Sequence, residues 1–134
     1  MKSQQGSLFK KEKSDFGGEH LKKRSGRLKP RPLAVRSTMH LVLRSSVAKG
    51  IHSFSKPHNR KLIQEEVQKF AKKHHVQVLS LAIVGNHIHF HIKLGVMRLY
   101  KSFIRGLTAS LALKISGASK NQKIVDIFGR RFWD

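Results

Sequence analysis

Met39, Leu41 and Leu43 alternate with Thr38, His40, Val42 and Arg44. Successive side chains on a strand point to opposite faces, so this alternation predicts a half-buried strand beginning near Ser37. Ile63, Val67, Phe70, Ala71 and His74 then recur at helical spacing, with Lys61, Glu65, Lys69 and Lys72 on the other side. That pattern predicts an amphipathic helix over about 58–75, with Pro57 where a first turn tolerates it. His74 and His75 fall at its end, where imidazoles cap carbonyls. The run Val76–Val84 is β-rich and mostly apolar, Gly85-Asn86 suits a two-residue turn, and His87–Leu94 continues as the partner strand. Leu99 or Tyr100, Ile104, Leu107, Leu111 and Ile115 predict a second helix over about 96–116, stopped by Gly117. After a polar loop over 118–123, Ile124–Phe128 and 131–133 read as short extended pieces. The order β-α-β-β-α-β predicts an α+β fold, an antiparallel sheet with two helices on one face, ferredoxin-like or RRM-like.

The stretch before position 37 breaks the pattern. Residues 1–36 hold eleven Lys or Arg, are rich in Gly and Ser, and sustain neither a 2-residue nor a 3.6-residue period. They read as a flexible basic arm ending at Pro30-Arg-Pro32, ahead of a folded domain over 37–134. Such an arm is either a phosphate-binding tail or a solubilising extension.

Charge narrows the class of partner. With 28 Lys and Arg against 7 Asp and Glu, the chain carries a formal +21. A chain so basic attracts polyanions, nucleic acid first among them, because bound phosphates release counterions. No apolar run approaches the length of a membrane span, no lipidation signal is seen, and no apolar segment follows the basic N-terminus as in a signal peptide. A cytoplasmic protein without membrane partners is expected. There is no cysteine, which excludes disulfides and thiolate metal sites.

The chemistry-bearing residues sit on the predicted strand after the turn. His87, His89 and His91 line one face of it, and Ile88, Phe90 and Ile92 line the other. Imidazoles two positions apart on a strand lie about 7 Å apart at the backbone and are able to converge on one divalent ion. Three histidines are equally compatible with a half-solvated polar face or with phosphate contacts. Three alternating positions span more than one ion comfortably reaches, which sets His91 apart as a phosphate contact or solvated residue. His40 and Arg44 share one face of the first strand and would line the same surface if the two strands are neighbours. Arg98, Lys101 and Arg105 share one face of the second helix.

The stretch Ser80-Leu-Ala-Ile-Val-Gly-Asn86-His87-Ile-His89-Phe resembles the His-hydrophobic-His motif of the HUH endonuclease superfamily. The preceding Asn86 is similar to that of its single-strand insertion-sequence transposases, in particular the branch of REP-associated tyrosine transposases. Met39-His40-Leu-Val-Leu-Arg44 is similar to the family's first strand, Lys101-Ser-Phe-Ile-Arg-Gly-Leu to its helix after the histidines, and Gly129-Arg-Arg-Phe-Trp-Asp134 to the segment that follows. The resemblance covers about 37–134 in the right order. It implies a divalent ion, Mg²⁺ or Mn²⁺, held by His87 and His89 with His91 as a further candidate. It also implies attack by a tyrosine on single-stranded or hairpin DNA to leave a 5′-phosphotyrosine. Asn86, His40, Arg44, Arg98, Lys101, Arg105, Arg130 and Arg131 are the DNA-binding positions expected on this reading, and a homodimer is the assembly the resemblance suggests.

The resemblance places the nucleophilic tyrosine on a later helix, beyond the segment matched by Phe132-Trp133-Asp134. The one tyrosine here is Tyr100, which does not match that position. Two expectations follow: a transposase shortened at its C-terminal side that keeps binding and loses cleavage, or Tyr100 acting as substitute nucleophile. A different class of function is a non-catalytic basic RNA-binding module of RRM-like topology. That reading lacks its usual base-stacking aromatics, since the central strand carries His instead.

Overall fold

The computed structural model describes residues 33–134, and Leu33–Asp134 form one compact unit. The arm expected over 1–36 therefore lies outside the described residues as far as position 32. Three strands make an antiparallel sheet: β1 (Thr38–Arg44), β2 (Val76–Val84) and β3 (His87–Leu94), in the spatial order β1-β3-β2. Helix α1 (Pro57–Lys73) lies between β1 and β2 in the chain, and α2 (Tyr100–Ser116) follows β3 after a 3₁₀ turn over Met97–Leu99. The result is an α+β fold, a small antiparallel sheet with two helices on one face, in line with the ferredoxin-like or RRM-like order. No described helix is long and apolar enough to cross a membrane.

The core follows from the strand alternation. Ile88, Phe90 and Ile92 on β3 are each 0% exposed, and they pack with Ile63 and Val67 of α1 and Phe103, Leu107 and Leu111 of α2. Strand β2 would break this pattern if it were regular. Val76 and Val78 face inward, as do Leu81 and Ile83, although the two pairs differ in parity. A bulge solves the mismatch: Val78 pairs with Ile92 and Ser80 with His91, so Leu79 is the extra residue and stays exposed.

Helix ends behave as the sequence predicts. Pro57 opens α1, and His74 closes it with its Nδ1 2.9 Å from the Phe70 carbonyl. Gly117 ends α2 at φ +70°. Between the helices, Glu66 of α1 is 4% exposed and its carboxylate accepts hydrogen bonds from Ser110 and Lys114 of α2. Burial raises the Glu66 pKa, but those bonds and the nearby Lys69 charge outweigh it and hold the carboxyl below its ordinary value.

The long connection from β1 to α1 clamps the β2–β3 turn. Ser45 and Phe54 donate their backbone N–H groups to the Asn86 and Gly85 carbonyls at 3.0 and 2.8 Å, and the Ser53 hydroxyl donates to Gly85 as well. Asn59 holds that connection to α1 through two 2.9 Å bonds, to the Ile51 and Ser53 carbonyls.

One stretch departs from expectation. Ile124–Phe128, read from its β-rich composition as extended, is a short helix, α3. Asp126 accepts a 2.9 Å hydrogen bond from the Lys123 N–H, the return contact of a capping box, and Gly129 at φ +66° terminates the turn. Residues 131–133 are irregular as well. Phe132 is nevertheless buried against Phe54, and the Trp133 indole N–H donates to the Thr108 carbonyl at 2.8 Å. These aromatics serve the core without forming a strand.

Gly95, just past β3, marks the tightest backbone approach. Its N–H donates to the His75 carbonyl at 2.8 Å, and a Cβ added there would stand 2.6 Å from that oxygen. Backbone cannot swing aside as a flexible side chain does, so Gly95→Ala is expected to destabilise the fold by about 1–3 kcal/mol. A urea titration checks this, and an unchanged midpoint would show that the two segments are not so close.

Candidate functional site

The open face of the sheet, opposite the helices, collects the histidines. Because Ile88, Phe90 and Ile92 point into the core, His87, His89, His91 and Lys93 must point outward from the central strand. The β1–β3 register adds the outward residues of the neighbouring strand. His40 stands opposite His91, Val42 opposite His89, and Arg44 opposite His87. On the other side Ser80, Ala82 and Val84 face His91, His89 and His87.

Within this face the imidazoles are not evenly spread. His40 Nε2 lies 3.2 Å from His89 Nδ1, with ring centroids 5.4 Å apart and planes within 11°. This is a diagonal contact, one step away from the directly opposed partners. The His87 and His89 rings lie 6.0 Å apart and within 18° of parallel. His91 is exposed and joins neither contact. Among the described residues, no group of three or more metal-ligating side chains gathers around one point. The structure thus brings His87 and His89 to one face as the sequence predicts. The closest approach to His89, however, comes from His40, which sequence reasoning grouped with the DNA contacts. Its parity on β1 was legible, but the register that selects it was not.

The edge of the face beyond His87 is organised by the last residues. The Arg44 guanidinium lies 3.2 Å from the Asp134 carboxylate, the Ser46 N–H donates to that carboxylate at 2.9 Å, and the Asp134 N–H donates to the Arg44 carbonyl at 3.0 Å. The hydrogen bond from Ser46 and the charges of Arg44 and Arg130 hold the Asp134 carboxyl below its ordinary range. Sequence reasoning missed Asp134 as the partner of Arg44, because residues 90 positions apart give no local signal.

The remaining predicted residues lie elsewhere. Asn86 sits in the turn beside His87, with its carbonyl engaged by Ser45. Tyr100 opens α2 and packs, half-buried, against the hydrophobic core on the helix side of the sheet. It is not brought together with the histidines, and burial pushes its phenol pKa up. A less acidic hydroxyl in that position is a poorer nucleophile. Arg98, Lys101 and Arg105 are exposed on the helix layer, again away from the histidine face. Arg105 and Arg131 meet instead at a groove of about 500 Å³ between α2, α3 and the last residues, floored by Thr108, Ile124 and Trp133. Arg130 is exposed in the segment leading to it.

The donor set on the open face consists of imidazole nitrogens. That set suits transition ions better than Mg²⁺, which prefers oxygen ligands and retains water. Of the two ions implied by the family resemblance, Mn²⁺ is the better match to these residues.

No protein-family model and no curated protein matches the chain. Among solved structures, it is similar to that of a "putative transposase" from Deinococcus radiodurans R1, with a TM-score of 0.50 and 13% sequence identity over 69% of each chain. At that identity the likeness is one of architecture: this chain shares the α+β fold of that structure.

Proposed function

We propose that this protein binds single-stranded or hairpin DNA through the open face of its sheet, as a relative of the metal-dependent transposases that nick and transfer single strands. The observation that carries this reading is the exposed histidine face of β3, preceded by Asn86 and flanked by His40 and Arg44, on a chain of charge +21. The transposase-like fold agrees with it. His91, Lys93 and Arg44 are the phosphate contacts of that face, and His87 and His89 are the ligands that the resemblance assigns to a divalent ion. When bound, such an ion neutralises charge on a phosphate oxygen. This chain's own residues orient a strand across the sheet and supply cationic contacts. Tyr100, half-buried on the helix side, does not serve as nucleophile in this reading. The residues of this face are assigned to binding, and the homodimer implied by the resemblance is the expected assembly.

Fluorescence anisotropy with a hairpin DNA and an RNA of the same sequence tests the proposal. Tighter binding to the DNA is expected, with affinity falling steeply as salt rises. For Arg44→Ala the slope of log K against log salt should shrink by about 0.7, one phosphate contact to a single strand. No covalent protein–DNA product should accumulate with Mn²⁺. A preference for RNA would favour the RNA-binding module instead, and a covalent adduct lost in Tyr100→Phe would restore that tyrosine as nucleophile.

A further inference from the structure

We infer that His40 and His89 form a two-imidazole chelate for a borderline divalent transition ion, with Zn²⁺ the foremost candidate, and that His91 is not one of its ligands. Zinc binds imidazole nitrogen at about 2.0–2.1 Å, so two ligands at a tetrahedral angle stand about 3.3 Å apart. His40 Nε2 and His89 Nδ1 are 3.2 Å apart. The strands carrying them are held in register along their whole length, which fixes the two Cα positions before any ion arrives. Both rings sit on the open face, so small pivots about their side-chain torsions turn both lone pairs onto one point.

The ligand count sets the character of the site. Two protein nitrogens leave coordination positions free for water or a phosphate oxygen, as in open rather than closed zinc sites. Imidazole also sets the ion class, favouring Zn²⁺, Co²⁺ and Ni²⁺ over Mg²⁺. His87 stacks on the far side of His89, at a ring distance of 6.0 Å, and orients that ring without joining the pair. Without metal, the 3.2 Å approach is satisfied by one shared N–H, which the ion displaces.

This inference names the ion class for the face used in the proposed function, and it replaces His87 with His40 as the partner of His89. It rests on that reading only for the use made of the ion, since binding of Zn²⁺ requires no DNA. The test is calorimetric titration of the full chain with ZnCl₂, repeated with CoCl₂ under visible absorption and with MgCl₂. One Zn²⁺ per chain is expected at the pair, with Mg²⁺ far weaker. His40→Ala and His89→Ala should each weaken Zn²⁺ binding by about tenfold or more, a difference of about 1.4 kcal/mol. His91→Ala should leave it within about twofold, and His40→Gln should behave as His40→Ala while keeping the bulk of the side chain. Circular dichroism establishes that each variant is folded.

Unchanged Zn²⁺ affinity in His40→Ala, or equal affinity for Mg²⁺ and Zn²⁺, would overturn the chelate. Hairpin-DNA binding is measured alongside in a chelating buffer. If it persists while His40→Ala leaves Zn²⁺ binding intact, the chelate is wrong and the DNA reading stands. If Zn²⁺ binding depends on His40 but DNA is not bound, the chelate stands and the DNA reading fails.

Discussion

Phe90→Ala is expected to lower the stability of this domain by about 3–5 kcal/mol, the usual range for emptying a buried aromatic site. Domains of this size are stable by only about 5–15 kcal/mol, so a large part of the folded population is at stake. Phe90 is 0% exposed and lies in the central strand, with Leu41 paired on one side and Leu81 on the other. It is also the inward neighbour of both His89 and His91. The outward imidazoles have no packing of comparable size, so their positions depend on this inward anchor. A urea titration at 25 °C checks the figure through the shift in midpoint. A loss below about 1 kcal/mol would mean that β3 does not face the core as described.

The second large effect is expected at the polar contact between the helices. Lys114→Met should cost about 1–3 kcal/mol, because it leaves the Glu66 carboxylate buried with Ser110 as its remaining hydrogen-bond donor. The Lys114 side chain is 48% exposed against 6% for Glu66, so the cost falls on the acid and not on the lysine. Removing both charges in Glu66→Leu with Lys114→Met should be milder than Lys114→Met alone.

The pH dependence has a definite sign. The folded-state pKa of Glu66 lies below its ordinary 4.5, so the unfolded chain takes up the proton first. The contribution of Glu66 is fully present above about pH 4.5 and is lost as pH falls through the lowered folded value. Glu66→Gln should therefore flatten the acid limb of stability, measured as urea midpoints from about pH 7 to about pH 3. An acid limb equally steep in the variant would show that other carboxylates carry it.

Much of the fold was legible because the burial periods are clean. β1 alternates strictly, β3 alternates strictly, and both long helices keep an apolar stripe. Two features were illegible for physical reasons. In β2 the bulge at Leu79 hides a change of parity inside a run that is apolar throughout, so composition gives a strand without giving its faces. At Ile124–Phe128 a β-rich composition competes with a cap formed by Asp126, and over five residues the local hydrogen bonds prevail. The candidate site was legible as a set of histidines on one face, since that needs only the period of two. Which histidines meet depends on the register between β1 and β3 and on a diagonal contact across it. Neither is written in any short stretch of sequence. The same limit explains Asp134, whose contact with Arg44 closes across most of the domain.

The diagonal contact between β1 and β3 also has a place in time. Strands β2 and β3 are joined by a two-residue turn, and hairpins of this kind form within microseconds. His40 and His89 are 49 residues apart, and β1 gains its only strand partner among the described residues when it docks on β3. Strand pairing across so large a separation is slow compared with forming a local hairpin. An early hairpin thus already displays His87, His89 and His91, yet holds no paired imidazoles. The pair is therefore expected to form only when β1 docks, later than the hairpin, so its appearance would report the completed sheet.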